Sequence, residues 1–301
     1  IYRTIKNTMS VIIITKQAVT DYETSRLVDS FTQKDISVRV CHPDDFDIIV
    51  DRDIKKGIKY KGEEIKLPKL VLVRLGAGIL PFQLAVLRHF EQAGVLVING
   101  SESISTVKDK MRTSQILSRS GIAIPNTMMV RFPFNEKLIN ENIGYPCVVK
   151  VVTGSYGAGV YLCEKKKDYK KLVEFVESLG NKKTLLVQEY LGDAPGEDLR
   201  VLVIGGKVAG AMKRTAPEGD FRANITNGGT GSGFEVTPEI DYIARETARV
   251  LGLTIGGIDL LFDSRGFRVC EANSNPGFSG FEKYCGIDVA DLITEYIRYK
   301  V

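Results

Sequence analysis

Apolar positions along the chain fall into two periods, and the switches between them mark its elements. Val11–Thr15 is a run of β-branched residues and predicts a buried strand, and Asp21–Phe31 predicts a helix. Ile36–Val40 and Leu70–Arg74 predict further strands, Pro81–Ala93 a helix, and Val95–Ile98 a strand. This strand–helix–strand rhythm predicts a small, mostly parallel sheet that ends near Asn99. Gly57, Lys61-Gly62 and the charges between them predict a hairpin or excursion from that sheet.

Ser105–Ser120 predicts one helix closing at Gly121, and Pro125 opens a second region. There, strands are expected at Thr127–Val130, Cys147–Val152, Gly159–Cys163 and Leu185–Gln188, with helices over Asn135–Asn142 and Lys167–Leu179. From Glu189 the strands come in pairs: Leu199–Ile204 with Lys207–Lys213, then Gly257–Phe262 with Phe267–Glu271. Gly205-Gly206 and Ser264-Arg265-Gly266 supply their turns. Pro238–Leu251 and Asp288–Tyr299 predict helices. The fold class is α/β with an α+β second half, without internal repeats or low-complexity tracts.

Composition narrows the function classes. The chain has 301 residues, 44% of them hydrophobic, enough for two or three small cores. Its longest apolar stretch, Leu70–Leu87, is interrupted by Arg74, Gly76, Gly78, Pro81 and Gln83, so it reads as strand, turn and helix start rather than a membrane span. The N-terminus has no secretory pattern, and the expected location is the cytoplasm. Cys41, Cys147, Cys163, Cys270 and Cys285 are odd in number and lack C-x-x-C spacing, so free thiols in a reducing compartment are expected. His42 and His89 are too few and too scattered to build a metal site. The net charge of +4 comes without a basic tail or an aromatic–basic stripe, which argues against nucleic acid and fits small anionic ligands.

Four features carry chemistry. Asp259 and Glu271 lie on strands that would face each other across a hairpin turning near Asp263–Gly266, and Asn273 shares the face of Glu271 by the two-residue strand period. Hard oxygen donors among apolar neighbours suit Mg²⁺; two ordinary strand-end acids are the competing reading. Lys150 leads into a glycine-rich turn with Gly154, Ser155, Tyr156, Gly157 and Gly159, which could cradle phosphates or be a plain hairpin turn. It matches neither a P-loop nor a dinucleotide fingerprint. Lys110, Lys150, Arg200, Arg214 and Arg222 are cations of the kind a triphosphate needs. Gln188-Glu189-Tyr190-Leu191 ends a strand before an irregular stretch whose backbone could pair with an adenine edge. The glycine-dense segment Asn227–Gly233 could be an anion nest or a lid.

In this order, the motifs resemble an ATP-grasp ligase of the RimK type. The resemblance rests on Asp109-Lys110-Met111-Arg112, Val148-Val149-Lys150, the turn from Gly154 to Gly159, and Val187-Gln188-Glu189-Tyr190. It continues through Asp198-Leu199-Arg200, Gly219-Asp220-Phe221-Arg222-Ala223-Asn224, Asn227-Gly228-Gly229, Gly257-Ile258-Asp259 and Glu271-Ala272-Asn273-Ser274-Asn275-Pro276-Gly277-Phe278. The stretch from Gly277 to Ala290 is similar both to ribosomal-protein glutamate ligases and to N-acetylaspartylglutamate synthetases.

The resemblance implies three subdomains: a Rossmann-like pre-ATP-grasp domain over 1–99, a linker helix and central lid over 100–188, and a C-terminal subdomain over 189–301. It implies that Lys110, Lys150 and the glycine turn contact ATP phosphates. Glu189 to Leu191 would line the adenine, with Gln188 before them also binding the nucleotide, Asp198 the ribose side, and Asp259, Glu271 and Asn273 would hold Mg²⁺. Two ions are expected, with Mn²⁺ able to substitute. Arg222 and Asn224, then Arg200 and Arg214, would meet the substrate or the phosphoryl group in flight. The implied reaction joins a small-molecule or peptide carboxylate to an amino acid, glutamate foremost, through an acyl phosphate, in a homo-oligomer (dimer or tetramer). A phosphotransferase on the same fold and a non-catalytic nucleotide-binding regulator are the alternatives.

Overall fold

The computed structural model describes residues 9–76, 78–131, 134–151, 159–178, 184–223 and 228–301. Strand β1 (Ser10–Thr15) leads through helix α1 (Tyr22–Gln33) to strand β2 (Ser37–Cys41). Asp21 caps α1 by accepting from the Thr24 amide. Strands β3 (Phe46–Ile48), β4 (Ile58–Tyr60) and β5 (Glu63–Glu64) form the small antiparallel excursion expected around Gly57 and Gly62. Strand β6 (Leu70–Arg74), helix α2 (Pro81–Gln92) and strand β7 (Leu96–Ile98) complete the N-terminal part. Its sheet is parallel, in the order β2-β1-β6-β7. The order reverses between β1 and β6, where crossovers leave to opposite sides.

The single helix expected over Ser105–Ser120 is two helices, α3 (Ser101–Lys108) and α4 (Lys110–Arg119). Asp109 leaves the helical region (φ −90°, ψ 100°) and accepts from the Arg112 amide, so it ends one helix and caps the next. The apolar period runs through the break, which is why periodicity alone merges them.

A second sheet, in the order β10-β9-β11-β8, is antiparallel and comprises β8 (Thr127–Val130), β9 (Cys147–Val151), β10 (Val160–Cys163) and β11 (Leu185–Glu189). Helices α5 (Glu136–Asn142) and α6 (Lys166–Ser178) cover it, with Ile139, Val149, Tyr169 and Val187 in its small core. The third sheet has the order β14-β13-β12-β15-β16, from β12 (Glu197–Ile204), β13 (Lys207–Thr215), β14 (Thr230–Phe234), β15 (Ile255–Asp263) and β16 (Gly266–Asn273). Strand β14 lies in the glycine-dense segment that was expected to be a nest or lid. Its residues Thr230 to Phe234 instead pair antiparallel with Thr215 to Ala211 of β13. Small residues admit this close approach: a Cβ on Gly231 would lie 2.8 Å from the Tyr284 ring. Helix α7 (Pro238–Val250) packs on the other side of this sheet, and α8 (Ser279–Cys285) and α9 (Val289–Lys300) close the chain.

One core joins the two ends of the chain. Ile13, Leu27, Phe31 and Leu72 pack with Leu202, Phe278, Phe281 and Ile293. Full burial of each such side chain contributes about 1.5–3 kcal/mol. Helices α3 and α4 bury Val107 and Leu117 in the core beneath the third sheet. No helix among the described residues is long and apolar enough to cross a membrane.

Candidate functional site

Side-chain alternation on the third sheet sorts its residues onto two faces. Leu199, Val201 and Val203 of β12 join the α7 core, so Asp198 and Arg200 face the other way. Register aligns their neighbours: Asp198 opposes Arg214 on β13, Arg200 opposes Asp259 on β15, and Asp259 opposes Glu271 on β16. The hairpin turns from Asp263 to Gly266, as its sequence predicts. A bulge follows, since Asp259 pairs with Glu271 but Leu260 with Val269, and Cys270 is the extra residue. Asn273 opposes Gly257 two positions along.

The charges on this face interlock. Arg200 forms a two-pronged pair with Asp259, Nε to Oδ1 at 2.7 Å and Nη2 to Oδ2 at 2.6 Å. Arg214 pairs the same way with Asp198, at 2.6 and 2.5 Å, and its Nη2 also lies 3.1 Å from Asp259 Oδ2. Asp259 is 5% exposed and Arg214 3%. Burial alone pushes the Asp259 carboxyl up, but Arg200 and Arg214 outweigh it and hold the group below the usual carboxylate range. For Asp198, burial prevails over Arg214 and the like charge of Asp259 adds to it, so that carboxyl is raised. Lys110, the first residue of α4, pairs with Glu271. Burial opposes the charge on Lys110, yet Glu271 raises its pKa overall.

The second sheet supplies the facing wall. Lys150 of β9 donates to Gln188 Oε1 on β11 (2.7 Å), and its Nζ lies 3.7 Å from Cys270 Sγ across the cleft. Gln188 donates in turn to Thr127 Oγ1 at 2.9 Å. The Cys270 thiol is pushed up by burial, although Lys150 works against that. Lys110, Lys150, Gln188, Cys270 and Glu271 thus line one cleft between the two sheets, with α4 at its side. Glu189, at the end of β11, accepts from the Asn126 amide (3.1 Å) and from Arg268 Nη1 (3.0 Å), and Tyr190 and Leu191 follow it out of the sheet.

The structure therefore gathers Lys110, Lys150, Gln188, Asp259 and Glu271, and adds Asp198, Arg200, Arg214 and Asn273 on the same sheet face. Arg222 bonds within its own segment, its Nε 2.9 Å from Asp220 Oδ1. Gly159 is described, with φ +75°; Gly154, Ser155, Tyr156, Gly157 and Asn224 lie outside the described residues. Sequence reasoning missed Arg268 and Cys270. An arginine in the apolar run Phe267–Val269 was a signal for the first; a bulge leaves no sequence signal for the second.

Among the described residues, no three His, Cys, Asp or Glu side chains gather to hold a metal. The candidate set is two carboxylates and an amide, and it fits a hard cation. Both carboxylates already sit against side-chain cations, so a metal ion would compete with Lys110 and Arg200 for them. The Nδ2 atom of Asn273 is buried without a partner; the two ends of an amide interchange by rotation, and its oxygen there would be a donor awaiting a cation.

Comparison with known proteins gives the family. The RimK PreATP-grasp domain matches residues 9–104, and the RimK-like ATP-grasp domain residues 107–297. A protein named "Probable alpha-L-glutamate ligase" from Vibrio cholerae serotype O1 (strain M66-2) is 39% identical over 278 residues, covering 92% of this chain and 91% of its own. One of the same name from Methanococcoides burtonii is 42% identical over 245 residues, 81% of each chain. Among solved structures, the ATP-grasp ligase PsnB complexed with minimal precursor superposes with a TM-score of 0.76 at 20% identity, over 97% of this chain and 99% of that one. VanG D-Ala:D-Ser ligase from Enterococcus faecalis gives 0.71 at 19% identity, over 98% and 100%; both share the fold. With matching models over both halves and close relatives over most of its length, the chain belongs to the RimK-like ATP-grasp family.

Proposed function

We propose that this protein is an ATP-dependent carboxylate–amine ligase that adds glutamate to a carboxylate acceptor. The observation that carries the reading is the cleft where Lys110 and Lys150 meet the Asp259–Glu271 hairpin. A carboxylate does not yield to an amine directly, because hydroxide is a poor leaving group. Attack of a carboxylate oxygen on the γ-phosphorus of ATP expels ADP and makes an acyl phosphate. The glutamate nitrogen then adds to that carbonyl, phosphate leaves, and the amine gives up its proton.

The residues mainly position and neutralise. Lys150 and Lys110 leave Gln188 and Glu271 for phosphate oxygens. Glu189 to Leu191 border the base, with Arg268 fixing Glu189, and Asp198 lies toward the ribose. Arg200 and Arg214 orient Asp259, and Arg222 and Asn224 meet the transferring group. The glycine turn at 154–159, with Ser155 and Tyr156, covers the phosphates and keeps water from the acyl phosphate. Asp259, Glu271 and Asn273 would hold Mg²⁺, which neutralises charge on the phosphates; two ions, replaceable by Mn²⁺, match two carboxylates and an amide. Subdomains at 1–99, 100–188 and 189–301, a cytoplasmic location in keeping with free cysteines, and a closed dimer or tetramer complete the reading.

Substitution tests the site. Glu271→Gln and Lys150→Ala are expected to lower amide formation at least about a hundredfold, with circular dichroism unchanged. Wild-type turnover in either variant would sink the assignment. The phosphotransferase alternative predicts a phosphorylated product and ADP without an amine.

A further inference from the structure

Arg74 is the most deeply buried charge outside the cleft. It ends β6, opposite Thr15 of β1, at the point where the strand order of the parallel sheet reverses. In open α/β sheets, ligands bind outside the carboxyl ends of the strands at such a point. Arg74 is 8% exposed, and its guanidinium lies over the Phe278 ring, 5.3 Å from the centroid. Only Nη2 is used: it donates to Glu23 Oε2 (2.6 Å) and to the Pro276 carbonyl (3.0 Å). The N–H groups on Nε and Nη1 have no acceptor among the described residues, and neither atom is among the sealed, unpaired ones. A buried guanidinium with donors to spare awaits an anion.

The neighbours fit this. Exposed Lys16 follows Thr15 at the same strand end. The Glu23 carboxylate is fully engaged, since Oε1 accepts from the Phe278 and Ser279 amides at 2.5 and 3.1 Å while Oε2 takes Arg74. It fixes the loop after Asn273 and aims the guanidinium. In that loop the buried Asn275 Oδ1 also lacks a partner. Two residues separate Asn273 from Pro276, so Asn273 and the Pro276 carbonyl that holds Arg74 lie within about 11 Å of each other along the chain.

We propose that Arg74 is a specificity residue that binds a substrate carboxylate not consumed in the reaction. This rests on the ligase reading above. The shared chemistry is a carboxylate, carried either by free glutamate or by an acidic acceptor, and the test separates the two sources.

Calorimetry with L-glutamate and with a glutamyl-glutamate dipeptide, in Mg²⁺ and a non-hydrolysable ATP analogue, reads the site. Arg74→Gln should weaken at least one probe about ten- to hundredfold, the loss expected for a charge-assisted hydrogen bond, without changing affinity for the analogue. Glu23→Gln should leave probe affinity within about threefold of wild type, because its amide oxygen can still accept from Arg74 and the donors that meet the probe remain. If Arg74→Gln fails to fold, Arg74→Lys carries the test, with a smaller loss in the same direction. Three results overturn the proposal: both probes bound as tightly by the Arg74 variant as by wild type, an equal loss in Glu23→Gln, or wild-type protein that binds the analogue but neither probe. Wild-type protein that does not bind the analogue overturns the ligase reading, and this inference with it.

Discussion

Each acidic side chain at the candidate metal position holds a cation from this chain: Glu271 holds Lys110, and Asp259 holds Arg200 and Arg214. That arrangement makes two predictions about single residues. Lys110→Met removes the competitor from Glu271, so Mn²⁺ without nucleotide should bind more tightly, read by electron paramagnetic resonance; unchanged affinity would show that the Lys110–Glu271 pair does not guard the position. The second concerns pH. Asp259 has a folded pKa of about 2 against an ordinary 3.8. A depressed carboxyl stabilises the fold fully above its unfolded pKa and loses that contribution as pH falls through the folded one. Asp198 is raised and runs the opposite way, which reduces the net effect without reaching the Asp259 window below pH 3.8. Urea titrations from pH 5 to pH 3 should therefore cost the wild type more stability than Asp259→Asn; parallel losses would contradict the pairing. That Asp259, Glu271 and Asn273 share a sheet face was legible, because strand period puts Glu271 and Asn273 on one side and the hairpin brings Asp259 opposite. Its arginine partners were not, because they depend on register across three strands.

At the scale of elements, the joints of the fold rest on side chains whose roles are invisible locally. Asn99, at the end of β7, donates to the Ile255 and Ser274 carbonyls (2.7 and 2.6 Å) and accepts from the Thr254 and Ile255 amides (2.8 and 3.0 Å). It ties the first sheet to β15 and to the loop that leaves β16. Asn99→Ala strands these buried groups at about 1–3 kcal/mol each, so a loss of at least about 3 kcal/mol in denaturant unfolding is expected. A loss below about 1 kcal/mol would mean that water replaces the amide. In sequence, Asn99 reads as the end of a sheet and as the start of a chance Asn-Gly-Ser glycosylation pattern, and neither announces these bonds. Asp109 and β14 show two other limits. A helix break that keeps the apolar period escapes a periodicity argument. A strand built as Thr-Gly-Ser-Gly-Phe has too little apolar material to announce itself, and forms because β13 offers it an edge. Strands such as Leu70–Arg74 were legible to the residue, since a short continuous apolar run suits a strand buried on both faces of a parallel sheet.

The whole molecule divides its stability unevenly. The two ends of the chain share the core of Phe31, Leu72, Phe278 and Ile293, whereas the second sheet has a smaller core of its own. Hydrogen exchange should accordingly find β9 and β11 less protected than β12 and β15, and Mg²⁺ with an ATP analogue should raise protection mainly in β9 and β11. Equal protection before nucleotide would contradict this uneven division of stability. The order of motifs along the chain made the fold and the two walls of the cleft legible, but the buried Arg74 was not, because it reads in sequence as one charge at a strand end. The central claim, ATP-driven addition of glutamate, is tested most directly by product analysis. The protein is supplied with Mg²⁺, ATP, glutamate and a panel of acidic peptides, each component also omitted in turn, and ADP and peptide masses are followed together. ADP is expected only when glutamate and an acceptor are both present, together with a peptide heavier by one or more glutamate residues. ADP at the same rate without glutamate, or a peptide that gains phosphate instead, would contradict it.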